Sequence, residues 1–190
     1  EWWVQDFSSM LPIHFTKKIR KKTVADLCAA PGGKSFQALS VGADVDLFEI
    51  SSKRATILKK NLERLKFKNK IIIKNAMEIK NNKKYDYVLV DAPCSSVGTI
   101  RKNPEIFFRN SKPNIEYLID IQEKLLNKAR NIVNKDGIII YMVCSFLQIE
   151  TVLQINKFIA KNKNFTIEKF VLENKYNNLV NKKGYINIVP

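Results

Sequence analysis

The sequence predicts an α/β fold, with a doubly wound, mostly parallel sheet and helices on both of its faces. Short apolar runs alternate along the chain with longer amphipathic stretches, which is the pattern of strands separated by helices. Apolar residues make up 45% of the 190 residues, enough for a sizeable core. No internal repeat or long linker divides the chain, so residues 1–190 are interpreted as one domain.

Each element has its own signal in the sequence. The predicted strands are apolar runs bounded by polar or turn residues, and they cover residues 23–27, 45–50, 71–73, 87–91, 138–143 and 165–171. The predicted helices carry apolar residues at helical spacing, and they cover residues 35–41, 52–66, 115–133 and 151–161. Asp136 and Gly137 predict a turn before the fifth strand. Because ligands bind beyond the carboxyl ends of such strands, the residues that follow them are the first candidates for a site.

The charge and the cysteine content narrow the class of protein. The formal net charge of +15 suits a polyanionic partner, although a lysine-rich bias of the coding DNA would produce the same balance. Three cysteines do not make a disulfide framework, and with no signal peptide at the start they indicate a cytoplasmic protein. No Cys-x-x-Cys pair occurs and His14 is the single histidine, so we expect no metal. No apolar run approaches the roughly 18 residues of a membrane span, so we expect no membrane partner.

A glycine-rich turn follows the first predicted strand. Residues 26–35 read DLCAAPGGKS, in which small residues let the backbone approach a ligand and the next helix offers unpaired N–H groups to a carboxylate. The turn is neither GxGxxG nor a phosphate-binding loop. Glu49 follows the second strand, where an acid can bind ribose hydroxyls, and Asn75 follows the third, where an amide can contact an adenine edge. These positions predict a nucleoside-bearing cofactor.

Two cysteines follow neighbouring strands. Cys94 comes just after Asp91 and Cys144 ends the fifth strand, whereas Cys28 is interpreted as a small core residue or a backbone contact to the cofactor. A thiolate that adds to carbon 6 of a cytosine makes carbon 5 nucleophilic enough to take a methyl group from S-adenosylmethionine, and a second group can assist release. Asp91 is suited to hold the ring, and the cation of Lys34 would favour a nearby thiolate.

At these motifs the sequence resembles the bacterial 16S rRNA cytosine-C5 methyltransferases of the RsmB (Sun/Fmu) type, in the NOL1/NOP2/Sun family. The matching segments are residues 26–35, residues 91–105 (DAPCSSVGTIRKNPE) and residues 141–145 (YMVCS), with weaker matches at 4–6 and 61–65. The resemblance covers residues 2–155. It implies a Rossmann-like class I S-adenosylmethionine-dependent methyltransferase fold and 5-methylcytosine formation in RNA, with 16S rRNA as the expected substrate.

The resemblance also implies roles for individual residues. It implies that Cys144 is the nucleophile, that Cys94 assists product release, that Asp91 positions the base and that Lys34 can contact it. The implied cofactor contacts are Cys28, Ala29, Ala30, Pro31, Gly32, Gly33, Lys34, Glu49, Asn75 and Asp91. Candidate RNA contacts are Arg101, Lys102 and Arg109, while the neighbouring Phe107 and Phe108 are expected to pack in the core. The family usually has Asp where Glu49 and Asn75 stand; we still interpret the site as active.

Three alternatives stay open. The substrate could be tRNA, the chain could be a non-catalytic RNA-binding assembly factor, or it could be a DNA cytosine methyltransferase, which would use Cys94 as nucleophile and need a separate DNA-reading domain. Family members often carry an N-terminal NusB-like RNA-binding domain and a final strand, and neither is recognisable here. We therefore expect a fragment of a longer protein that holds one catalytic domain and acts as a monomer.

Overall fold

A five-stranded parallel sheet carries the fold. In the computed structural model, which describes residues 2–16, 18–170 and 174–188, the strands are β1 (Thr23–Asp26), β2 (Asp44–Glu49), β3 (Ile71–Ile73), β4 (Tyr85–Asp91) and β5 (Val133–Met142). Their order is β3-β2-β1-β4-β5, and each neighbouring pair is parallel. The direction of winding reverses between β1 and β4, which confirms the doubly wound α/β prediction.

The described residues form five α-helices: α1 (Phe7–His14), α2 (Gly33–Ser40), α3 (Ser52–Arg64), α4 (Ile115–Ile132) and α5 (Val152–Lys161). Side-chain caps fix two of the starts, because Asp6 accepts from the Ser8 N–H at 2.9 Å and Ser51 accepts from the Arg54 N–H at 3.3 Å. None of the helices within the described ranges is long and apolar enough to cross a membrane.

The core packs around the central strands. Fully buried apolar side chains come from both the sheet and the helices beside it, and they include Val24, Phe36, Ala38, Leu47, Leu58, Leu62 and Leu89. Burying one such side chain stabilises the fold by about 1.5–3 kcal/mol. This packing fixes the carboxyl ends of β1 and β4, where the predicted site residues begin.

Three features differ from the sequence prediction. The predicted sixth strand is wrong, because residues 165–170 form no strand and Phe165 packs on Phe158 of α5 instead, with ring centroids 5.3 Å apart; Val171 lies outside the described residues. Helix α1 was not predicted. The strand β5 begins before the predicted turn rather than after it: residues 134–137 bulge between the paired residues Val133 and Ile138, with Asp136 at φ 62°.

The chain divides into two compact units. The first, which we call the sheet unit, comprises residues 1–92 and 124–142 and contains all five strands. The second, which we call the cysteine unit, comprises residues 93–123 and 143–190 and contains both Cys94 and Cys144.

Candidate active site

The glycine-rich turn of the sheet unit borders an open cavity of about 400 Å³, within the range of small-molecule sites. All seven residues from Cys28 to Lys34 line it, together with Asp91. All eight are among the predicted cofactor contacts. The remaining lining residues are Trp3, Val4, Gln5, Asp6, Ser9, Asp26, Phe36, Asn61 and Arg64.

Gly32 is the residue that gives this turn its shape. It precedes α2 with φ 117°, a region that side chains rarely adopt. A Cβ at this position would lie 2.0 Å from Cζ of Phe36, whose ring fills the core below. The turn can therefore run close over the core, and it leaves the first N–H groups of α2 at the cavity.

Below the turn, Asp26 is a buried carboxyl with partners on both oxygens. It accepts from the Ser35 hydroxyl at 2.6 Å and from the Cys28 N–H at 3.2 Å. Burial raises the pKa of Asp26 to about 6, because the hydrogen bonds only partly offset its desolvation. Burial also raises the pKa of the Cys28 thiol, and the nearby Asp26 carboxyl adds to that rise. Cys28 therefore stays a neutral thiol near pH 7, in line with its interpretation as a packing or backbone-contact residue.

Lys34 and Asp91 form an ion pair at the cavity. The Lys34 Nζ and Asp91 Oδ2 atoms are 2.6 Å apart, and the Asp91 side chain keeps 38% of its surface exposed. Asp91 thus retains an oxygen edge toward a ligand while Lys34 fixes the carboxylate's position.

The two remaining predicted cofactor residues do not line the cavity. Glu49 is buried, accepts from the N–H groups of Ala30 at 3.3 Å and Ser51 at 3.0 Å, and lies 3.7 Å from Nε of Arg54. Its hydrogen bond with Ala30 stabilises the glycine-rich turn. Asn75 accepts from the Met77 N–H at 3.1 Å and caps a single helical turn. Contacts of Glu49 and Asn75 with a cofactor stay predictions.

The cysteine unit brings the two predicted thiols together. The Sγ atoms of Cys94 and Cys144 are 3.3 Å apart, with both cysteines free and Cys144 exposed. The hydrogen bond with Cys144 raises the pKa of the Cys94 thiol, and burial raises it further. Both effects disfavour the thiolate form of Cys94.

Comparison with known proteins identifies the family. The family model for 16S rRNA methyltransferase RsmB/F matches residues 16–190. The chain belongs to the RsmB/F family. It is 31% identical over 164 residues to ribosomal RNA small subunit methyltransferase B of Photorhabdus laumondii, covering 84% of this chain and 38% of that protein. The Shewanella oneidensis protein of the same name is 30% identical over 173 residues, covering 88% of this chain and 40% of that protein.

A solved structure has the same fold. The structure of NSun6 from Pyrococcus horikoshii with SFG superposes with a TM-score of 0.80, covering 90% of this chain and 44% of that one, and its 22% identity bears on the fold alone. The chain spans only about 40% of the length of the curated relatives it matches. The family membership and the Rossmann-like methyltransferase fold implied by the sequence are both confirmed.

In this RsmB/F chain a buried polar network that the sequence did not predict holds the loop around Cys94. We call this loop and the loop around Cys144 the two thiol loops. The carboxylate of Glu150 accepts from the Ser95 N–H at 2.8 Å and from the Ser95 hydroxyl at 2.5 Å. Gln122 donates to Glu150 at 3.1 Å and to the Pro93 carbonyl at 2.9 Å. Both Glu150 and Gln122 are completely buried. Since buried polar groups need partners, this network fixes the residues on either side of Cys94.

The cavity wall from the amino-terminal segment was also missed. The Trp3 indole donates to Gln5 at 3.0 Å, and Gln5 donates to the Gln37 side chain at 2.9 Å and to the Ser9 carbonyl at 3.2 Å. The Trp3 ring packs edge-on against Phe36. The only sequence signal for this wall was the weak match at residues 4–6.

The predicted RNA contacts lie on the surface of the cysteine unit. Arg101, Lys102 and Arg109 are all exposed, and Arg109 lies 3.2 Å from Glu105. The expectation that Phe107 and Phe108 pack in the core is wrong, because they are 56% and 84% exposed. No group of three or more metal-ligating side chains occurs among the residues that the structure describes.

Proposed function

We propose that this chain is the catalytic domain, spanning residues 1–190, of an S-adenosylmethionine-dependent enzyme that methylates carbon 5 of a cytosine in 16S rRNA. The observation that carries the proposal is the pair of free thiols, Cys94 and Cys144, with sulfurs 3.3 Å apart and unequal exposure. RNA binding alone does not need such a pair.

The cofactor proposal rests on the sheet unit. The cavity has the size of a small-molecule site, Gly32 allows the close approach of backbone, and α2 begins where a carboxylate would be bound. Family relatives are S-adenosylmethionine-dependent, and SFG, which the NSun6 structure contains, is an analogue of that cofactor. The residues that would hold it are Cys28 to Lys34 and Asp91.

The chemistry begins at Cys144. Its thiolate adds to carbon 6 of the cytosine, which forms a sulfur–carbon bond and shifts the ring's electron pair toward carbon 5. Asp91 holds the ring through its polar edge. When bound, S-adenosylmethionine supplies the methyl group, which carbon 5 takes as the sulfonium carbon–sulfur bond breaks.

Cys94 assists the release of the methylated base from Cys144. Once Cys144 is bonded to carbon, its sulfur no longer offers the hydrogen bond or the negative charge that raise the pKa of Cys94. Cys94 can then lose its proton to solvent and accept the proton on carbon 5. The electron pair left behind restores the ring's double bond and expels the Cys144 thiolate.

RNA as substrate is supported by the net charge of +15 and by the names of the curated relatives. A cytosine must leave its stack to meet a thiolate, and Arg101, Lys102 and Arg109 are the groups proposed to hold the flanking phosphates. We place the monomeric enzyme in the cytoplasm, where free thiols persist.

The test is to map 5-methylcytosine in total RNA from cells with and without the gene. Loss of one site in 16S rRNA is the expected result. Loss of a tRNA site instead would replace the substrate while keeping the chemistry. Transfer of labelled methyl from S-adenosylmethionine to DNA but not to RNA, measured with the purified protein, would overturn the proposal.

A further inference from the structure

Ser96 places a hydroxyl beside both thiols of the cysteine unit. Its Oγ lies 3.4 Å from Sγ of Cys144, 4.0 Å from Sγ of Cys94 and 3.5 Å from the Cys94 carbonyl oxygen. The neighbouring Ser95 is committed to the buried carboxylate of Glu150. Ser96 is therefore a hydroxyl that lies near both sulfurs and also donates to the Cys94 carbonyl.

The backbone holds Ser96 in an unusual conformation to achieve this. Its φ is 61°, a left-handed value that favours glycine, and among the described non-glycine residues it shares a positive φ only with Lys21, Lys66 and Asp136. The Ser96 carbonyl accepts from both the N–H and the hydroxyl of Thr99, at 2.9 and 2.8 Å. These two bonds hold the turn, so the side chain is not required to form it.

A serine hydroxyl can act in either direction toward a sulfur. It carries one proton and two lone pairs, so it accepts from a neutral thiol and, after rotating, donates to a thiolate. Hydrogen bonds to the charged form of a group favour that form. The same hydroxyl can thus accept from Cys144 in the resting site and stabilise its sulfur once the proton has left.

We propose that the Ser96 hydroxyl is a further catalytic group, which donates a hydrogen bond to the Cys144 thiolate before attack and again as that thiolate is expelled. The proposal rests on the proposed function for the choice of Cys144 as nucleophile. The proton of Cys144 goes to solvent, the Ser96 proton stays on its oxygen throughout, and the sulfur–carbon bond forms and breaks as in the reaction above.

The test is the rate at which Cys144 of the full chain reacts with iodoacetamide between pH 5.5 and 10, resolved by peptide mass spectrometry. The variants Ser96→Gly and Ser96→Ala both remove the hydroxyl, but only glycine relieves the left-handed backbone. Each should slow alkylation of Cys144 at pH 7 by about tenfold and move the midpoint of its pH–rate profile up by about one unit, because less thiolate is present.

The matched control is Lys66→Gly, which relieves the same φ of 61° in the other unit and should leave the Cys144 profile unchanged. Wild-type rates in both Ser96 variants would overturn the proposal. A change in Ser96→Gly alone would also overturn it, since backbone relief and not the hydroxyl would then be the cause. The assay uses neither RNA nor cofactor, so a failure of methyl transfer leaves its result standing.

Discussion

The glycine-rich turn of the sheet unit and the two thiol loops of the cysteine unit hold their functional groups by different means. The turn is shaped by sterics, since Gly32 has no room for a Cβ above Phe36. The thiol loops are shaped by hydrogen bonds, since Glu150 and Gln122 bind the chain around Cys94 from below. A cofactor site benefits from a rigid backbone, whereas reacting thiols must stay accessible, which leaves the buried polar network to position them.

Cysteine itself illustrates the difference. Cys28 lies in the turn, where burial raises its pKa and makes it inert. Cys144 is exposed in the other unit, 3.3 Å from a second sulfur. The same side chain is thus a packing group in one region and a candidate nucleophile in the other, according to its surroundings.

The largest effect on stability is expected from a substitution at Gly32, where the turn packs tightly on Phe36. Gly32→Ala should lower the free energy of unfolding by about 3 kcal/mol, because its Cβ collides with Phe36 and its φ becomes strained. Urea unfolding measures the loss, and calorimetry should find that S-adenosylmethionine binding is lost too. The control, Gly42→Ala, has φ 86° but only a 3.9 Å contact with Arg20, so it should cost about 1 kcal/mol. Equal costs would contradict the steric account.

The next largest effect is expected from removing the buried carboxylate of Glu150. Glu150→Ala removes the acceptor of three hydrogen bonds, which the N–H of Ser95, the hydroxyl of Ser95 and the side-chain amide of Gln122 donate. It should therefore lower the free energy of unfolding in urea by about 2–3 kcal/mol. Glu123→Ala is the matched control, since its 28% exposed carboxylate only pairs with surface lysines and should cost less than about 1 kcal/mol. If both variants unfold alike, the buried network does not hold the thiol loop.

A smaller effect is expected on the pH dependence of stability, through the buried carboxyl of Asp26. Because the folded pKa of Asp26, about 6, lies above its ordinary 3.8, its contribution to stability is present at low pH and is lost as pH rises through 6. Between pH 5 and 7 this loss amounts to about 1 kcal/mol. The Asp26→Asn variant should lack it, so the difference in unfolding free energy between wild type and variant should change by that amount. A difference independent of pH would contradict the buried-carboxyl account.

The smallest effect concerns RNA binding by the cysteine unit. The double variant Arg101→Gln, Lys102→Gln should lower the slope of log affinity against log salt by about 1.4, since each phosphate contact on a single strand contributes about 0.7. Lys59→Gln, Lys60→Gln on the exposed side of α3 removes the same charge as a control. Equal slopes for the two variants would contradict the assignment of phosphate contacts to Arg101 and Lys102.

Much of the fold follows from local pattern, and the rest depends on tertiary contacts. The parallel strands were predictable because buried strands are continuous apolar runs, and the meeting of Cys94 with Cys144 followed from β4 and β5 being neighbours. Helix α1 was missed because it has only eight residues and contains Pro12. The strand predicted at 165–171 failed over its described residues, 165–170, where Phe165 packs on Phe158 of α5 and no strand forms.

The glycine-rich turn of the candidate site could be recognised in the sequence, whereas its buried polar side chains could not. The turn from Cys28 to Lys34 has a distinctive composition, and the structure places it along the cavity. Glu150 and Gln122 carry no such signal, because a buried glutamate or glutamine is indistinguishable in sequence from a solvated one. Phe107 and Phe108 were misplaced for the converse reason, as large apolar residues are interior by default but not by necessity.

In the proposed reaction the two thiols have unequal roles, with Cys144 attacking the base and Cys94 assisting its release. The most direct measurement is the covalent protein–RNA adduct, resolved by denaturing gel electrophoresis. Wild type should be trapped on RNA containing 5-fluorocytosine, Cys144→Ala should form no adduct with it, and Cys94→Ala should accumulate an adduct even on ordinary cytosine. An adduct formed by Cys144→Ala would contradict the account.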